Sequence, residues 1–322
     1  MGTNEQTMTW IMDTYKNMHG ETNINAEGCS TGKFVNQGGI AGRNESTGLG
    51  VYYCIRTLLN EDSFIKKSLL TKKGLQDKTF NIQGFGAVGY WAAKFIQKDG
   101  GKITTIIEYN SAIHNPDGFD VDEVKNYWNS KGTLSGYSKA DEEVTLDPLA
   151  FLSKPCDILL PAAVEKSIHI NNVDSLDCKV VLEGANGPTT FMAEEALLKR
   201  GIITVPDMLA NGAGVTCSYF EWLKNLEHVS PGRMTKKYQE KQNMKILETM
   251  GYKLPKTSPH MKNLQGAKEI DIVYSGLEEI METATLTHWN YAVEKDINFR
   301  DACFGKSIAK IYQHFQQTGL ML

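Results

Sequence analysis

The chain has 322 residues, a formal net charge of -4 and a sequence pI near 6.0. This length is enough for one large domain or two ordinary ones, each with its own core. The slightly negative net charge predicts no basic surface for nucleic acid, and no apolar run is long enough to span a membrane. We therefore expect neither a nucleic acid nor a membrane as a partner. The six cysteines lack C-x-x-C spacing, which predicts reduced thiols rather than a disulfide framework or a metal site.

The first sixty residues predict two helices separated by a glycine-dense stretch. Residues 5–19 have the periodicity of a helix, and residues 51–59 predict a second one. The start of the chain has neither the apolar segment of a signal peptide nor the Arg-rich pattern of a transit peptide. We therefore expect no targeting segment in this chain.

The next segment predicts a strand, a glycine-rich turn, a helix and a second strand. The strand-like run 78–83 leads into Gly84-Phe85-Gly86-Ala87-Val88-Gly89, and a helix is predicted from Val88 to Gln97. The second strand covers residues 102–108 and ends at Glu108. This arrangement is typical of a dinucleotide-binding βαβ unit.

Each position in this unit has a physical role. Gly84 permits the tight turn, Gly86 lets the backbone approach a pyrophosphate, and Gly89 lets the helix pack closely on the strand. Unpaired N–H groups and the helix dipole favour the anion at the helix N-terminus. Glu108 stands where an acidic residue accepts hydrogen bonds from the adenosine ribose. Because Tyr109 adds no positive charge for a 2′-phosphate, the sequence predicts NAD as the cofactor, with NADP as an alternative.

Strands and helices continue to alternate after Glu108. The sequence predicts a turn at 115–118, helices at 121–129 and 192–199, and strands at 156–160, 179–183 and 202–205. This alternation predicts an α/β fold with a doubly wound, mostly parallel Rossmann-type sheet and additional flanking helices. Ligands then bind beyond the carboxyl ends of the strands.

Four segments are predicted along the chain. Residues 1–60 form a helical and glycine-rich lead-in with a substrate-side loop, and residues 61–233 form the dinucleotide-binding domain. Residues 234–262 are Lys-rich and polar, which predicts an insertion outside the core. Residues 263–322 are predicted to be C-terminal helices.

Six longer motifs occur in an order that resembles one family over essentially the whole chain. They are Ser30-Thr-Gly-Lys33, Gln37-Gly-Gly-Ile-Ala-Gly-Arg43, Gln83-Gly-Phe-Gly-Ala-Val-Gly89, Glu183-Gly-Ala-Asn-Gly-Pro-Thr-Thr190, Asn211-Gly-Ala-Gly-Val-Thr-Cys-Ser-Tyr-Phe-Glu-Trp222 and Asp271-Ile-Val-Tyr-Ser-Gly276. The chain resembles glutamate dehydrogenases of the hexameric, mitochondrial and animal-like type. The resemblance implies a mitochondrial matrix enzyme that uses NAD(P), binds glutamate and 2-oxoglutarate and associates with other protein subunits. In this comparison, residues 234–262 match a shortened form of the family's antenna.

The resemblance also assigns five site residues outside the glycine-rich turn. Arg43 matches a residue that holds the substrate acid, where a guanidinium can grip a carboxylate through two hydrogen bonds. Ser218 matches a substrate-carboxylate contact. Thr47 matches a contact to the nicotinamide amide, Asn186 a residue near the nicotinamide ribose, and Asn211 another residue on the nicotinamide side.

The same resemblance predicts that no catalytic residue lies in this chain. In the family, a lysine of lowered pKa and an aspartate transfer protons during oxidative deamination, and both belong to an N-terminal domain. The motif that carries the aspartate ends just before the residue that matches Met1. Two similar segments are rejected, because Lys98–Lys102 lies in the turn before the second strand and Val205–Met208 lies at a strand end.

Two hypotheses therefore stay open from the sequence. The chain is the cofactor-binding half of a NAD(P)-dependent glutamate dehydrogenase, which needs a supplied catalytic domain to act on glutamate or 2-oxoglutarate. Alternatively, it is a catalytically inactive, dehydrogenase-derived structural or nucleotide-binding subunit of a larger mitochondrial assembly.

Overall fold

The computed structural model describes residues 2–252, 255 and 258–318. Within them the α-helices are α1 (Glu5–His19), α2 (Arg43–Leu59), α3 (Asp62–Lys67), α4 (Ala87–Lys98), α5 (Val121–Lys131), α6 (Phe191–Lys199), α7 (Asp207–Ala210), α8 (Ala213–Glu227), α9 (Lys236–Thr249), α10 (Glu269–Lys295) and α11 (Phe299–Thr318). Short 3-10 helices cover Ala26–Cys29, Val35–Gln37, Pro148–Ser153, Val173–Ser175 and Pro259–Leu264. None of the helices in these residues is long and apolar enough to cross a bilayer.

The strands of the described residues form one mixed sheet. They are β1 (Thr79–Gln83), β2 (Lys102–Glu108), β3 (Ser111–His114), β4 (Glu142–Val144), β5 (Ile158–Pro161), β6 (Val180–Leu182) and β7 (Ile203–Val205). Their order is β4-β3-β2-β1-β5-β6-β7, in which β2, β1, β5, β6 and β7 run parallel and the β3 and β4 pairings are antiparallel. The predicted doubly wound, mostly parallel sheet is confirmed, and the loops after β1 and β6 open on the same edge.

The strands β3 and β4 are a feature that the sequence did not predict. Both are short, and β4 has the sequence Glu-Glu-Val, whose glutamates have low strand propensity. The pairs His114 with Glu142 and Ala112 with Val144 fix their register. Pairing of β3 with the buried strand β2, and of β4 with β3, therefore forms this edge of the sheet rather than local preference.

The chain divides into two compact units. The first consists of Met1–Ser46 with Gly214–Glu278, and the second of Thr47–Ala213 with Glu279–Leu322. The division into four segments that we expected from the sequence stays a prediction. Residues 253, 254, 256 and 257 of the expected insertion, residues 319–322 of the expected C-terminal segment, and Met1 lie outside the described residues.

The core of the second unit lies on the sheet. The parallel strands β5, β6 and β7 are buried along their whole length, as expected for strands covered on both faces. One apolar cluster joins the strands to α6 and to the loops after β5; its members are Ile107, Ala112, Phe151, Leu152, Leu159, Ile168, Val173, Leu176, Val181, Ala193, Leu197 and Ile202. This core fixes the carboxyl ends of the strands, from which the predicted site loops leave.

The helix α2 starts eight residues earlier than the sequence predicts. Its first turns include Gly48 and Gly50, and glycine lowers helix propensity, which is why the pattern predicted a helix only from residue 51. A methyl group added at Gly48 would lie 2.6 Å from Ala92 N, and one added at Gly50 would lie 2.2 Å from Ala213 Cβ. Close packing thus requires these glycines inside a helix.

A buried ion pair organises the first unit. Lys33 Nζ lies 3.0 Å from Glu221 Oε1, and both side chains have 0% exposure. Glu221 Oε2 also accepts from Gly32 N at 2.9 Å, so the Ser30–Lys33 motif is fixed to α8. Because a buried charge without its partner is costly, the two residues require each other. In the same unit, the 14-residue helix α9 lies within the expected insertion and buries none of its residues.

Candidate dinucleotide-binding site

The turn after β1 is shaped by close backbone contacts. Gly84 has φ 87°, a conformation that favours glycine, and its N–H donates to Ile107 O at 2.7 Å. A methyl group at Gly84 would lie 2.8 Å from Ala163 Cβ. One at Gly89 would lie only 1.8 Å from Gly84 O, so the first turn of α4 packs directly against the end of β1.

Gly86 has a different environment from the other two glycines. It is exposed, and an added methyl group would meet nothing within 4 Å. It is the N-cap of α4, and no side chain caps this helix. Ala87 is the exposed first residue of α4 and Val88 is partly buried. The N–H groups of the first turn are therefore available to an anion.

Two charged side chains attach to the backbone of Phe85. Glu108 Oε1 accepts from Phe85 N at 2.6 Å, and Glu108 Oε2 accepts from Tyr109 N at 3.3 Å. Lys125 Nζ, from α5, donates to Phe85 O at 2.6 Å. Burial lowers the pKa of Lys125, and the nearby Glu108 carboxylate opposes this shift. The structure thus places the Glu108 carboxylate at the turn and adds a cation that the motif does not mark, while the contact of Glu108 with the ribose stays a prediction.

The structure also brings together the two asparagines predicted for the nicotinamide side. Asn211 Nδ2 donates to Asn186 Oδ1 at 2.7 Å and, more weakly, to Gly184 O at 3.4 Å. Asn186 is exposed and Asn211 is partly buried. The loops after β6 and β7 therefore meet beyond the carboxyl ends of their strands.

These two loops are held by a single cation from α11. Arg300 lies 2.7 Å from Glu183 Oε2, 2.5 Å from Glu194 Oε2 and 3.1 Å from Asp207 Oδ1. Asp207 Oδ2 in turn accepts from Gly187 N at 2.8 Å. Burial raises the pKa of the Glu183 carboxyl, although Arg300 opposes that shift. Arg300 consequently ties the loop that carries Asn186 to the one that leads to Asn211.

The residues predicted for the substrate acid converge on one carbonyl group of the first unit. Arg43 Nη1 and Ser218 Oγ both donate to Gly214 O, the latter at 3.4 Å. A guanidinium has five N–H donors, so Arg43 keeps capacity for an acid. Thr47 lies in the second turn of α2 and is partly buried.

Sequence reasoning missed Lys125, Arg300 and Asp207. Lys125 lies within an ordinary amphipathic helix, seventeen positions after Glu108, and no motif distinguishes it. Arg300 acts on acids that are more than ninety positions away, so no local pattern could identify it. Asp207 was present in the rejected Val205–Met208 segment; the structure gives it a role in holding a loop.

An apolar cavity of about 490 Å³ lies elsewhere, in the first unit, between α8 and α10. Phe220, Leu223, Ile272 and Val273 line it, and none of the predicted site residues does. We do not assign it to the dinucleotide.

Known proteins show the same combination of sequence and fold. The family model described as Glutamate/Leucine/Phenylalanine/Valine dehydrogenase matches residues 38–262. The mitochondrial glutamate dehydrogenase of Dictyostelium discoideum is 44% identical over 323 residues, which cover 99% of this chain and 63% of that relative. The chain thus spans less than two thirds of the length of this relative.

Solved structures agree with this result. The glutamate dehydrogenase of Peptoniphilus asaccharolyticus matches with a TM-score of 0.69 and 28% identity, over 99% of this chain and 64% of that one. The hetero-hexameric glutamate dehydrogenase of Thermus thermophilus, in a leucine-bound form, matches with a TM-score of 0.74 over 100% of this chain and 64% of that one; at 22% identity it supports the fold alone. The Rossmann-type fold and the sequence resemblance are confirmed, and the chain belongs to the glutamate/leucine/phenylalanine/valine dehydrogenase family.

Proposed function

We propose that this chain is the nicotinamide-nucleotide-binding part of a glutamate dehydrogenase, which converts L-glutamate to 2-oxoglutarate and ammonia. The observation that carries the proposal is the turn Gly84–Gly89. It combines an uncapped helix N-terminus with open space at Gly86, where an added methyl group would meet no atom within 4 Å. That opening fits the pyrophosphate of a dinucleotide, and the family relationship supports glutamate as the substrate.

In this proposal the chain's own residues bind and orient the two ligands. The N–H groups of Gly86, Ala87 and Val88 hold the pyrophosphate, and Glu108 accepts from the adenosine ribose. The nicotinamide end is oriented by Asn186, Asn211 and Thr47.

The substrate side depends on Arg43 and Ser218. Because both donate to Gly214 O, one acid oxygen could replace that carbonyl as their acceptor. The cofactor, when bound, supplies the hydride acceptor. Turnover further needs a lysine and an aspartate for proton transfer, which the family resemblance assigns to a segment that this sequence does not match. Arg43 and Ser218 thus bind and position the acid, and we assign no proton transfer to them.

We further propose that NAD binds more tightly than NADP. The carboxylate of Glu108 accepts from a ribose 2′-hydroxyl and repels a 2′-phosphate, because like charges at short range disfavour binding. NADP remains an accepted, weaker ligand.

A mitochondrial matrix location and association with further protein subunits complete the proposal. The Dictyostelium relative is named as mitochondrial, and the Thermus structure is described as a hetero-hexamer. Microscopy of the tagged protein and its mass in solution test these two points.

The central test is dinucleotide binding by residues 1–322, followed by the fluorescence of NADH. We expect saturable binding that Gly86→Ala weakens about tenfold, since the added methyl group narrows the opening for the pyrophosphate. Gly305→Ala is the matched control, because its methyl group meets only an ordinary contact with Tyr291 at 3.8 Å. Equal binding by all three proteins, or none by the parent chain, would contradict the proposal. Absence of binding in a folded protein would favour the alternative of a structural subunit.

A second assay concerns turnover. With saturating glutamate and NAD, we expect residues 1–322 alone to produce no NADH, because the proton-transferring groups are not supplied. NADH production that Arg43→Ala abolishes would show that this chain holds a complete active site. Production that survives Arg43→Ala would indicate a contaminating enzyme.

A further inference from the structure

Lys125 and Glu108 form hydrogen bonds with the two backbone polar groups of the same turn residue, Phe85. Glu108 accepts the N–H of Phe85 at 2.6 Å, and Lys125 donates to the C=O of Phe85 at 2.6 Å. In the part of the chain that the structure describes, no ion pair joins the two side chains. An anionic and a cationic group therefore both border the adenosine end of the proposed cofactor site.

Lys125 differs from the neighbouring lysines in its charged partners. Lys94 lies 2.8 Å from Asp122, and Lys139 forms an ion pair with Glu123. Among the described residues, by contrast, no carboxylate lies within ion-pair distance of the Lys125 ammonium group. Its other neighbours are aromatic rings, with the Phe85 centroid at 5.5 Å and the Tyr90 centroid at 5.3 Å.

A partly buried ammonium group that lacks a carboxylate partner gains from binding an anion. At the adenosine end of a nicotinamide dinucleotide, the anion that distinguishes the two cofactors is the 2′-phosphate of NADP(H). A carboxylate such as Glu108 disfavours this group, whereas a cation close to the same ribose favours it. Lys125 is the cation that the structure places at Phe85.

We infer that Lys125 is the specificity residue that binds the 2′-phosphate, so that the site accepts NADP(H) despite Glu108. The inference rests on the proposed function, since it needs a dinucleotide in this turn. Lys125 exchanges its bond to Phe85 O for one to the phosphate, while Glu108 keeps the N–H of Phe85. The ratio of NADPH to NADH affinity is therefore set by two residues with opposite effects.

The experiment compares dissociation constants of NADH and NADPH for residues 1–322, Lys125→Met and Lys125→Arg. The matched control is Lys131→Met, which removes a positive charge from the exposed end of the same helix. We expect Lys125→Met to weaken NADPH binding about 10- to 100-fold, the effect of one lost charge-assisted hydrogen bond, and to change NADH binding less than about twofold. Lys125→Arg should restore most NADPH binding, and Lys131→Met should resemble the parent.

The outcomes separate this inference from the function on which it rests. If Lys125→Met weakens NADH and NADPH equally, the lysine only ties α5 to the turn and the inference is wrong. If it changes neither, the 2′-phosphate does not reach Lys125, and the inference is also wrong. In both cases NADH binding by the parent leaves the proposed function intact. If the parent binds neither cofactor, the proposed function fails and the inference fails with it.

Discussion

The loop after β1 and the loop after β6 are both parts of the proposed cofactor site, but they are held in different ways. The turn Gly84–Gly89 is fixed mainly by its own backbone, because Gly89 packs against Gly84 and both exclude a side chain. The loop that begins at Glu183 is fixed by Arg300, which reaches it from α11. The tightest contact of the first loop joins two of its own residues, and Glu108 and Lys125 add hydrogen bonds from 23 and 40 positions away. The second loop depends on a residue 117 positions away.

The two loops show which structural features a sequence motif can encode. The glycines of the first turn can be interpreted one by one, because the tightest packing contact lies within the motif itself. A loop that depends on a distant cation looks like any polar loop, although its motif is longer. Substitutions in and around the two loops test whether they differ in this way.

The largest effect is expected for Arg300→Met. It leaves Glu183, whose side chain has 0% exposure, without its cation, and such a loss costs about 3–5 kcal/mol of unfolding free energy. Urea unfolding measures the change. The control is Lys179→Met, which breaks a more exposed ion pair with Asp157 and should cost about 1 kcal/mol or less. Equal losses in the two variants would mean that Arg300 does not hold the loop.

A smaller loss of stability is expected for Gly89→Ala. The added methyl group would meet Gly84 O at 1.8 Å, so α4 must shift away from β1 at a cost of about 1–3 kcal/mol. Gly86→Ala has open space around its methyl group and should stay within about 0.5 kcal/mol of the parent. Thermal or urea unfolding of both variants tests the claim that local packing fixes this turn. A Gly89→Ala protein as stable as Gly86→Ala would refute it.

Glu108→Gln should change cofactor preference more than stability. The amide oxygen can still accept from Phe85 N, but the negative charge that opposes a 2′-phosphate is removed. We expect the ratio of NADPH to NADH affinity to rise about tenfold, the effect of relieving one like-charge contact. Titration with both nucleotides measures the ratio; a ratio identical to that of the parent would show that Glu108 does not face the ribose.

The smallest effect concerns pH and the antiparallel edge of the sheet. Burial, assisted by Lys154, lowers the pKa of His114 below its usual 6.5, against the opposing charges of Glu142 and Asp141. The folded protein therefore binds fewer protons than the unfolded chain, so stability is fully present above about pH 6.5 and is lost as pH falls through the lowered pKa. His114→Gln should reduce this acid-side loss in urea unfolding at several pH values. An unchanged pH dependence would exclude His114 as its source.

The sequence predicted the fold where contacts are local and missed details where they are not. The β1–α4–β2 unit, with Glu108 at the end of β2, followed from strand patterns and glycine spacing alone. The start of α2 did not, because the reason for glycines inside that helix is the approach of Ala92 and Ala213. Lys125 was missed for the same reason, since only the folded backbone brings α5 to Phe85. The predicted roles of the site residues stay predictions until ligands are measured.

The strand β4 has a consequence for how this protein behaves at high concentration. An exposed sheet edge is a template for pairing with other chains, which leads to aggregation. The edge strand β4 has only three residues, two of them the exposed glutamates Glu142 and Glu143, while α11 lies against β7 at the opposite edge. Short length and charge at one edge, and helical cover at the other, leave no long apolar edge in this sheet. Contacts between copies of the chain are therefore expected to form through helices and loops rather than by the addition of strands.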